Sequence, residues 1–580
     1  MKTPTICLTA LTIIGSGTAF ADASTDFATL LDEHWEAHLA NDPVNASMNG
    51  DRRFNDQWQD ESLEAIERRH QQSREFLQRV YAIDRGALSA DDQLNHELFR
   101  RQLQDAVDEH QFKDFLMPFS HSGGIQTLHN ISNQLRLETV EDYDDWLARL
   151  GKIKDLIEQE IDLAETGRKS GYMPPKILME RIPNQLKMQL VEYANESPFF
   201  RVFEELPESF SAADRERLRA EATETLEKSV LPAYKKLDRY FNQKYLPEAR
   251  DSVGQSALPN GKAWYEQLTR SYTTTRMTPD DIHRIGLEEV KRIRGEMDQV
   301  IKEVGFEGSF QEFLVFLRTD PQFYFDNPDD LYEAYLATCK RIDPELVRLF
   351  GKLPRMPYGV KPIPDSIAPD TTTAYYSDPA ADGSRAGIYW VNLYRPEVRP
   401  KYEIEVLSVH EAMPGHHLQI ALQQELKEVP MFRRYMWFTA FVEGWGLYSE
   451  RLGYDLGLYK DPYSRFGQLT YDMWRAVRLV VDTGLHYKGW TRQQAIDFFK
   501  DNAAKTELDI INEIDRYIGN PGQALAYKIG QMKMLTLRER AKQQLGEDFD
   551  IRAFHDELLG AGALPLDLLE QRMDAWLAKQ

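Results

Sequence analysis

The chain has 580 residues, 42% hydrophobic and 28% charged, with a formal charge of −23 and a sequence pI near 5.1. That is ample for one large core or several smaller ones, which excludes a disordered chain, and length alone suggests about two to four domains. The acidic balance, with no segregated basic patch, argues against DNA, RNA or an anionic membrane surface as the main partner.

The N-terminus reads as an export signal. Met1-Lys2 is a minimal positive start, Ile6 to Phe20 is uncharged, and Ala19-Phe20-Ala21 is a small-x-small cleavage site. Cleavage after Ala21 takes the formal charge to −24 and leaves Cys339 as the sole mature cysteine, expected as a buried structural residue. Pro4-Thr5-Ile6 before Cys7 does not resemble a lipoprotein attachment site. No later segment approaches the roughly 20 apolar residues of a membrane span, so no stable membrane anchor is expected, and the protein reads as periplasmic or secreted.

Helical periodicity dominates the mature chain, over 27–41, 61–82, 89–111, 140–167, 211–243, 278–304, 329–350, 403–426, 435–455, 467–487, 491–504 and 523–545. Prolines at 354, 357, 362, 364 and 369 interrupt this pattern, and the β-branched and aromatic runs 371–376 and 387–392 flank turn-like Asp378-Pro379 and Asp382-Gly383. A small β-hairpin follows. The expected fold class is mainly α, with a hairpin or sheet beside the active-site helix. Residues 22–250 form an N-terminal helical lobe and 251–580 a catalytic lobe, joined in one body.

Thirteen histidines in 580 residues would put about 0.18 in any window of eight, yet His410-Glu-Ala-Met-Pro-Gly-His416-His417 holds three. In an H-E-x-x-H pair, residues i and i+4 share a helix face and meet one zinc while the Glu faces the open position. On an undistorted helix His416 would lie about 240° around from His410, and His417 on its face but roughly 10 Å along. Pro414 and Gly415 break helices, so the insertion is expected to bring its own bulge or kink. His416 is the preferred second ligand and His417 its rival.

Glu443-Gly-Trp-Gly-Leu-Tyr-Ser-Glu450 offers two carboxylates on one helical face, with small residues at 444 and 446 that permit close packing. Glu443 is the third-ligand candidate, and Glu450 a group that orients an imidazole. Downstream, Arg475, Arg478, Asp482 and His486 project along one helix face opposite Trp474, Val477, Val481 and Leu485. The arginines are candidates for a substrate carboxylate, His486 for an oxyanion donor, and Asp482 for a supporting role, against the bland reading of a solvated face. Tyr527 is a second oxyanion donor; Arg516, Tyr517 and Lys528 are weaker candidates. His34 and His38 read as surface or packing residues. The bland alternative for the whole cluster is a buried polar network.

Four motifs in order, His410 to Gln419, Glu443 to Glu450, Val480 to Trp490 and Pro521 to Gln531, resemble the bacterial domain-of-unknown-function family 885 over nearly all of the mature chain. The resemblance implies kinship with helical zinc metallopeptidases whose third ligand is Glu, of the thermolysin and thimet-oligopeptidase kind, and a mostly helical fold with a substrate channel. The expected activity is therefore a zinc-dependent peptidase with one ion on His410, His416 and Glu443 and with Glu411 as general base, acting on peptides or other small amides. A hydrolase of non-peptide amides or esters and a non-catalytic binding protein are the competing readings.

Overall fold

The computed structural model describes residues 16–365, 368–370, 372–380, 383 and 385–580. Residues 1–15 of the expected signal, and Thr371 and Asp382 of the expected hairpin, lie outside them.

Helices form where apolar spacing and capping chemistry agree. Thr278 and Asp281 close a reciprocal capping box, Pro279 occupies the first turn, and Pro279–Glu303 buries Ile282, Val290, Ile293, Met297 and Val300 on one stripe. Each such side chain contributes about 1.5–3 kcal/mol on leaving water. The stripe packs along Pro462–His486, approaching so closely that a Cβ on Gly286 would stand 2.7 Å from the Leu479 Cβ. Pro462–His486 is buried almost all round from Phe466 onward.

The expected helix over 140–167 is two, Val140–Gly151 and Ile153–Ser170, divided at Lys152. The expected 403–426 helix is also two, Ile404–Glu411 and His416–Gln424. Helices beyond those expected include Gly261–Thr273, Phe310–Thr319, Glu507–Gly519, Ile551–Leu559 and Leu566–Leu577; each is short, spanning only about two to four turns.

The hairpin is present and gains a strand. β2 (Ala374–Ser377) pairs antiparallel with β3 (Gly387–Val391), and β1 (Tyr358–Pro362) pairs parallel on the other side of β3. β1 lies among the prolines that mark the end of helical structure, which hid it. The sheet packs through Val360, Tyr389 and Val391 against Leu331 and Tyr335 of Pro328–Ile342 and against Val406 and Leu407. Cys339 is free and buried there. Both large apolar clusters draw residues from either side of position 250. Among the described residues no helix is long and apolar enough to cross a membrane.

Candidate metal centre

The insertion in the histidine cluster breaks the helix outright. Ile404–Glu411 ends one residue after His410, a turn over 412–415 containing a cis Met413–Pro414 peptide follows, and His416 opens the next helix. Gly415 is obligatory, because a Cβ there would fall 1.8 Å from the His410 carbonyl oxygen. Trp445 of the Thr439–Asp455 helix secures the turn by donating its indole N–H to the Pro414 and Gly415 carbonyls at 2.8 and 3.2 Å. The two imidazoles thus approach from different helices.

They converge on Glu443. Its Oε2 lies 3.8 Å from His410 Nε2 and 3.6 Å from His416 Nε2, and one ligand atom from each of the three residues falls within 4.8 Å of the others. A tetrahedral zinc with bonds of 2.0–2.2 Å spaces its ligands about 3.3–3.6 Å apart, so this donor set fits after small adjustment. The rings of His410 and His416 stand nearly perpendicular, at 88°. Glu450, one carboxylate oxygen 2.8 Å from His410 Nδ1, leaves Nε2 directed at the centre. Gly446 makes the room, since a Cβ there would lie 2.9 Å from His410 Cε1 and 3.1 Å from His416 Cε1.

The electrostatics follow the same geometry. Burial, reinforced by His416 and Arg475, holds His410 well below its ordinary value. Burial would also lower His416, but Glu443 more than offsets it and raises the group to about 9. Burial pushes Glu443 up, yet His416 and Tyr527 keep it below the ordinary carboxylate range. Glu411 ends the first helix with its edge in reach of solvent but its carboxylate set among protein groups; burial, and the neighbouring Glu443, lift it to about 7 against the opposing pull of His416, Arg475 and the Tyr376 backbone N–H.

The remaining expected residues divide. Tyr527 stands beside Glu443 and under Arg478, whose guanidinium carbon is 4.3 Å from its ring centroid. Arg478 donates to Tyr517 Oη at 2.8 Å and pairs with Glu513 at 3.2 Å, while Arg475 pairs with Glu450 at 3.5 Å. With 5% and 4% exposure, Arg475 and Arg478 are not a solvated face. Arg475 Nε and Arg478 Nη1 have no protein partner.

Three expectations are corrected. His417 is no ligand: its Nδ1 pairs with Tyr376 Oη at 2.8 Å and its Nε2 with the Met356 carbonyl at 3.0 Å, tying the helix to the sheet. His486 cannot donate to an oxyanion, because Nδ1 accepts from the Gln255 N–H and Nε2 donates to the Tyr517 carbonyl. Asp482 supports no metal ligand; it accepts from Tyr265 Oη and the Gly522 N–H. Arg516 and Lys528 are paired structurally, with Glu513 and with Asp472 and Glu289. His34 packs edge-on against Phe76 and Phe99. Sequence reasoning missed Trp445 and Tyr376, whose aromatic character alone gave no signal, and read Gly446 only as a packing residue.

Residues 43–573 match a family model described as "Bacterial protein of unknown function (DUF885)". The fold matches a solved structure described as "the putative lipoprotein from Colwellia psychrerythraea", at 30% identity and TM-score 0.90, covering 96% of this chain and 100% of that one. A second, described as "a putative lipoprotein of unknown function from Shewanella oneidensis", matches at 17% identity and TM-score 0.74, covering 94% and 99%, and speaks to the fold alone. No curated protein matches.

Proposed function

The chain belongs to the bacterial DUF885 family, and we propose that this member is a zinc-dependent hydrolase, most simply a metallopeptidase. The observation that carries the reading is the meeting of His410, His416 and Glu443 around the space kept by Gly446, with Glu411 adjoining in the chain. A zinc ion held there would supply Lewis acidity, polarising the scissile carbonyl and making water acidic near neutral pH.

The chain's own groups do the rest. Glu411 takes the proton of the attacking water and delivers it to the leaving nitrogen. Tyr527 supplies a hydroxyl to the developing oxyanion. Glu450 holds the His410 ring. β2 is an edge strand, and its outer edge, where the Tyr376 N–H meets Glu411, aligns an extended peptide by main-chain hydrogen bonds. Arg478, with Nη1 uncommitted, anchors a substrate carboxylate. The protein works outside the cytoplasm, a reading supported by the signal-like residues 1–21 and by the descriptions of its structural relatives.

Elemental analysis tests the centre. One zinc per chain is expected in wild type and in His417→Ala, and a large loss in His410→Ala and His416→Ala. Screened against a peptide library, Glu411→Gln should retain metal and lose turnover. A metal-free wild type refutes the centre, and full activity in Glu411→Gln refutes the general base.

A further inference from the structure

A cavity of about 640 Å³ opens between the N-terminal helices and the segment leading into the Thr439–Asp455 helix. Its walls include Trp35, Tyr435, Trp437 and Phe438, with Asp105 and Glu109 from the Ala90–Glu109 helix. Trp35 and Tyr435 are stacked, 5.7 Å apart at 13°. Trp437 is 52% exposed and Tyr435 37%, large apolar surfaces that a folded chain ordinarily covers unless they serve binding.

The charge in this cavity is one-sided. Among the described residues no lysine or arginine stands in its wall; its titratable basic groups are His34, held down to about 4 by burial and then by His38, and His38 itself, whose ring lies 5.4 Å from that of Trp35. Arg101, the cation that acts on Asp105 most strongly, is itself bound to Asp567 at 2.6 and 2.8 Å. Glu109 has only neutral hydrogen-bond partners, Gln267 at 3.2 Å and Ser271 at 3.4 Å. Burial, and then Glu109, pushes Asp105 up to about 6; burial raises Glu109 as well. The fold therefore holds two half-buried carboxylates in an aromatic-walled space with no lysine or arginine beside them. Aromatic faces attract cations through their quadrupole, and carboxylates pair with them directly, so both wall types select the same ligand chemistry.

We propose that this cavity binds an organic cation, an ammonium or guanidinium group, seated between the Trp35, Tyr435 and Trp437 rings and the Asp105 and Glu109 carboxylates. The inference stands whether or not a metal occupies the centre, yet the two sites are neighbours along the chain: Thr439 lines the cavity, and Glu443 follows about 6 Å further along the helix axis. The cation has two chemical sources, the side chain of a basic residue and a free amino terminus.

Calorimetric titration of the full mature chain decides. The probes are N-acetyl-arginine amide for the side-chain cation, alanine amide for the terminal ammonium, and N-acetyl-citrulline amide as the neutral isostere. At least one cationic probe should bind saturably, with citrulline about tenfold or more weaker. The Asp105→Asn/Glu109→Gln variant should lose about tenfold or more, and Trp437→Ala, at an exposed position that folding tolerates, should also weaken binding. Affinity should fall with added salt and be the same with and without EDTA. The stronger of the two cationic probes identifies the source. Equal binding of citrulline, no saturable binding of either cation, unchanged affinity in both variants, or loss of binding in EDTA would each overturn the proposal.

Discussion

Gly446 is where the candidate metal centre is most sharply exposed to a single methyl group. In Gly446→Ala the new Cβ would stand 2.9 Å from His410 Cε1, 3.0 Å from His410 Nε2 and 3.1 Å from His416 Cε1. Reaching an ordinary carbon contact of about 3.5 Å requires a movement of about 0.6 Å, whereas metal bonds tolerate about 0.2 Å. The His410 ring cannot swing aside freely, because Glu450 pairs with its Nδ1 at 2.8 Å, and the His416 ring is hemmed in by burial. Zinc affinity should fall about 10- to 100-fold, the effect seen when groups that orient ligands are disturbed, equivalent to about 1.4–2.7 kcal/mol. Gly446 lies inside a regular helix, where alanine is favoured over glycine by about 0.5–1 kcal/mol. The variant should therefore keep its circular dichroism spectrum and melt close to wild type. Competition titration against a chelator measures the affinity, and a folded Gly446→Ala that binds zinc as tightly as wild type would refute the cradle.

The neighbouring glycine should behave in the opposite way. A Cβ at Gly444 would meet the Gly530 Cα at 2.6 Å, and since backbone cannot rotate away, the Thr439–Asp455 and Ala526–Leu545 helices must part; Gly444→Ala should cost about 1–3 kcal/mol, read as a lower urea midpoint, and an unchanged midpoint would contradict the contact. Acid should unpick the buried Asp472–Lys528 pair. Burial pushes Asp472 up, but Lys528 and Arg292 more than offset it and hold it at about 2 against an ordinary 3.8. A lowered folded-state value contributes stability that is complete above about pH 4 and lost as pH falls through about 2, worth about 2 kcal/mol here. Asp472→Asn, less stable at neutrality because Lys528 loses its closest carboxylate, should therefore show a flatter loss of stability between those pH values than wild type, and parallel acid limbs would exclude the effect.

Much of the candidate site was legible because its chemistry is dense in sequence. Three histidines in eight residues and two glutamates seven apart single out His410, His416, Glu443 and Glu450, and the geometry gathers those four. The choice of His416 over His417 was open, since an unbroken helix favours neither. The break at 412–415 separates them: His416 turns toward Glu443 while His417 turns to Tyr376 and Met356. The Arg475 to His486 stripe misled because helical spacing shows which residues share a face but not what that face meets. It meets protein, and His486 and Asp482 are absorbed into backbone contacts.

By itself the sequence determined the helical class, the caps, the interruption by a small β element and the set of candidate metal donors, with His416 and His417 still rivals, because these follow from local periodicity, from backbone chemistry at Pro and Gly, and from residue types that can bind a cation. Only the tertiary structure decided the parallel strand β1, the room kept by Gly446, the clamp of Trp445 on the turn, and the cavity that unites Trp35, Asp105 and Trp437. Each depends on surfaces brought together from distant parts of the chain, and distance in space is not written in the spacing of residues along one helix.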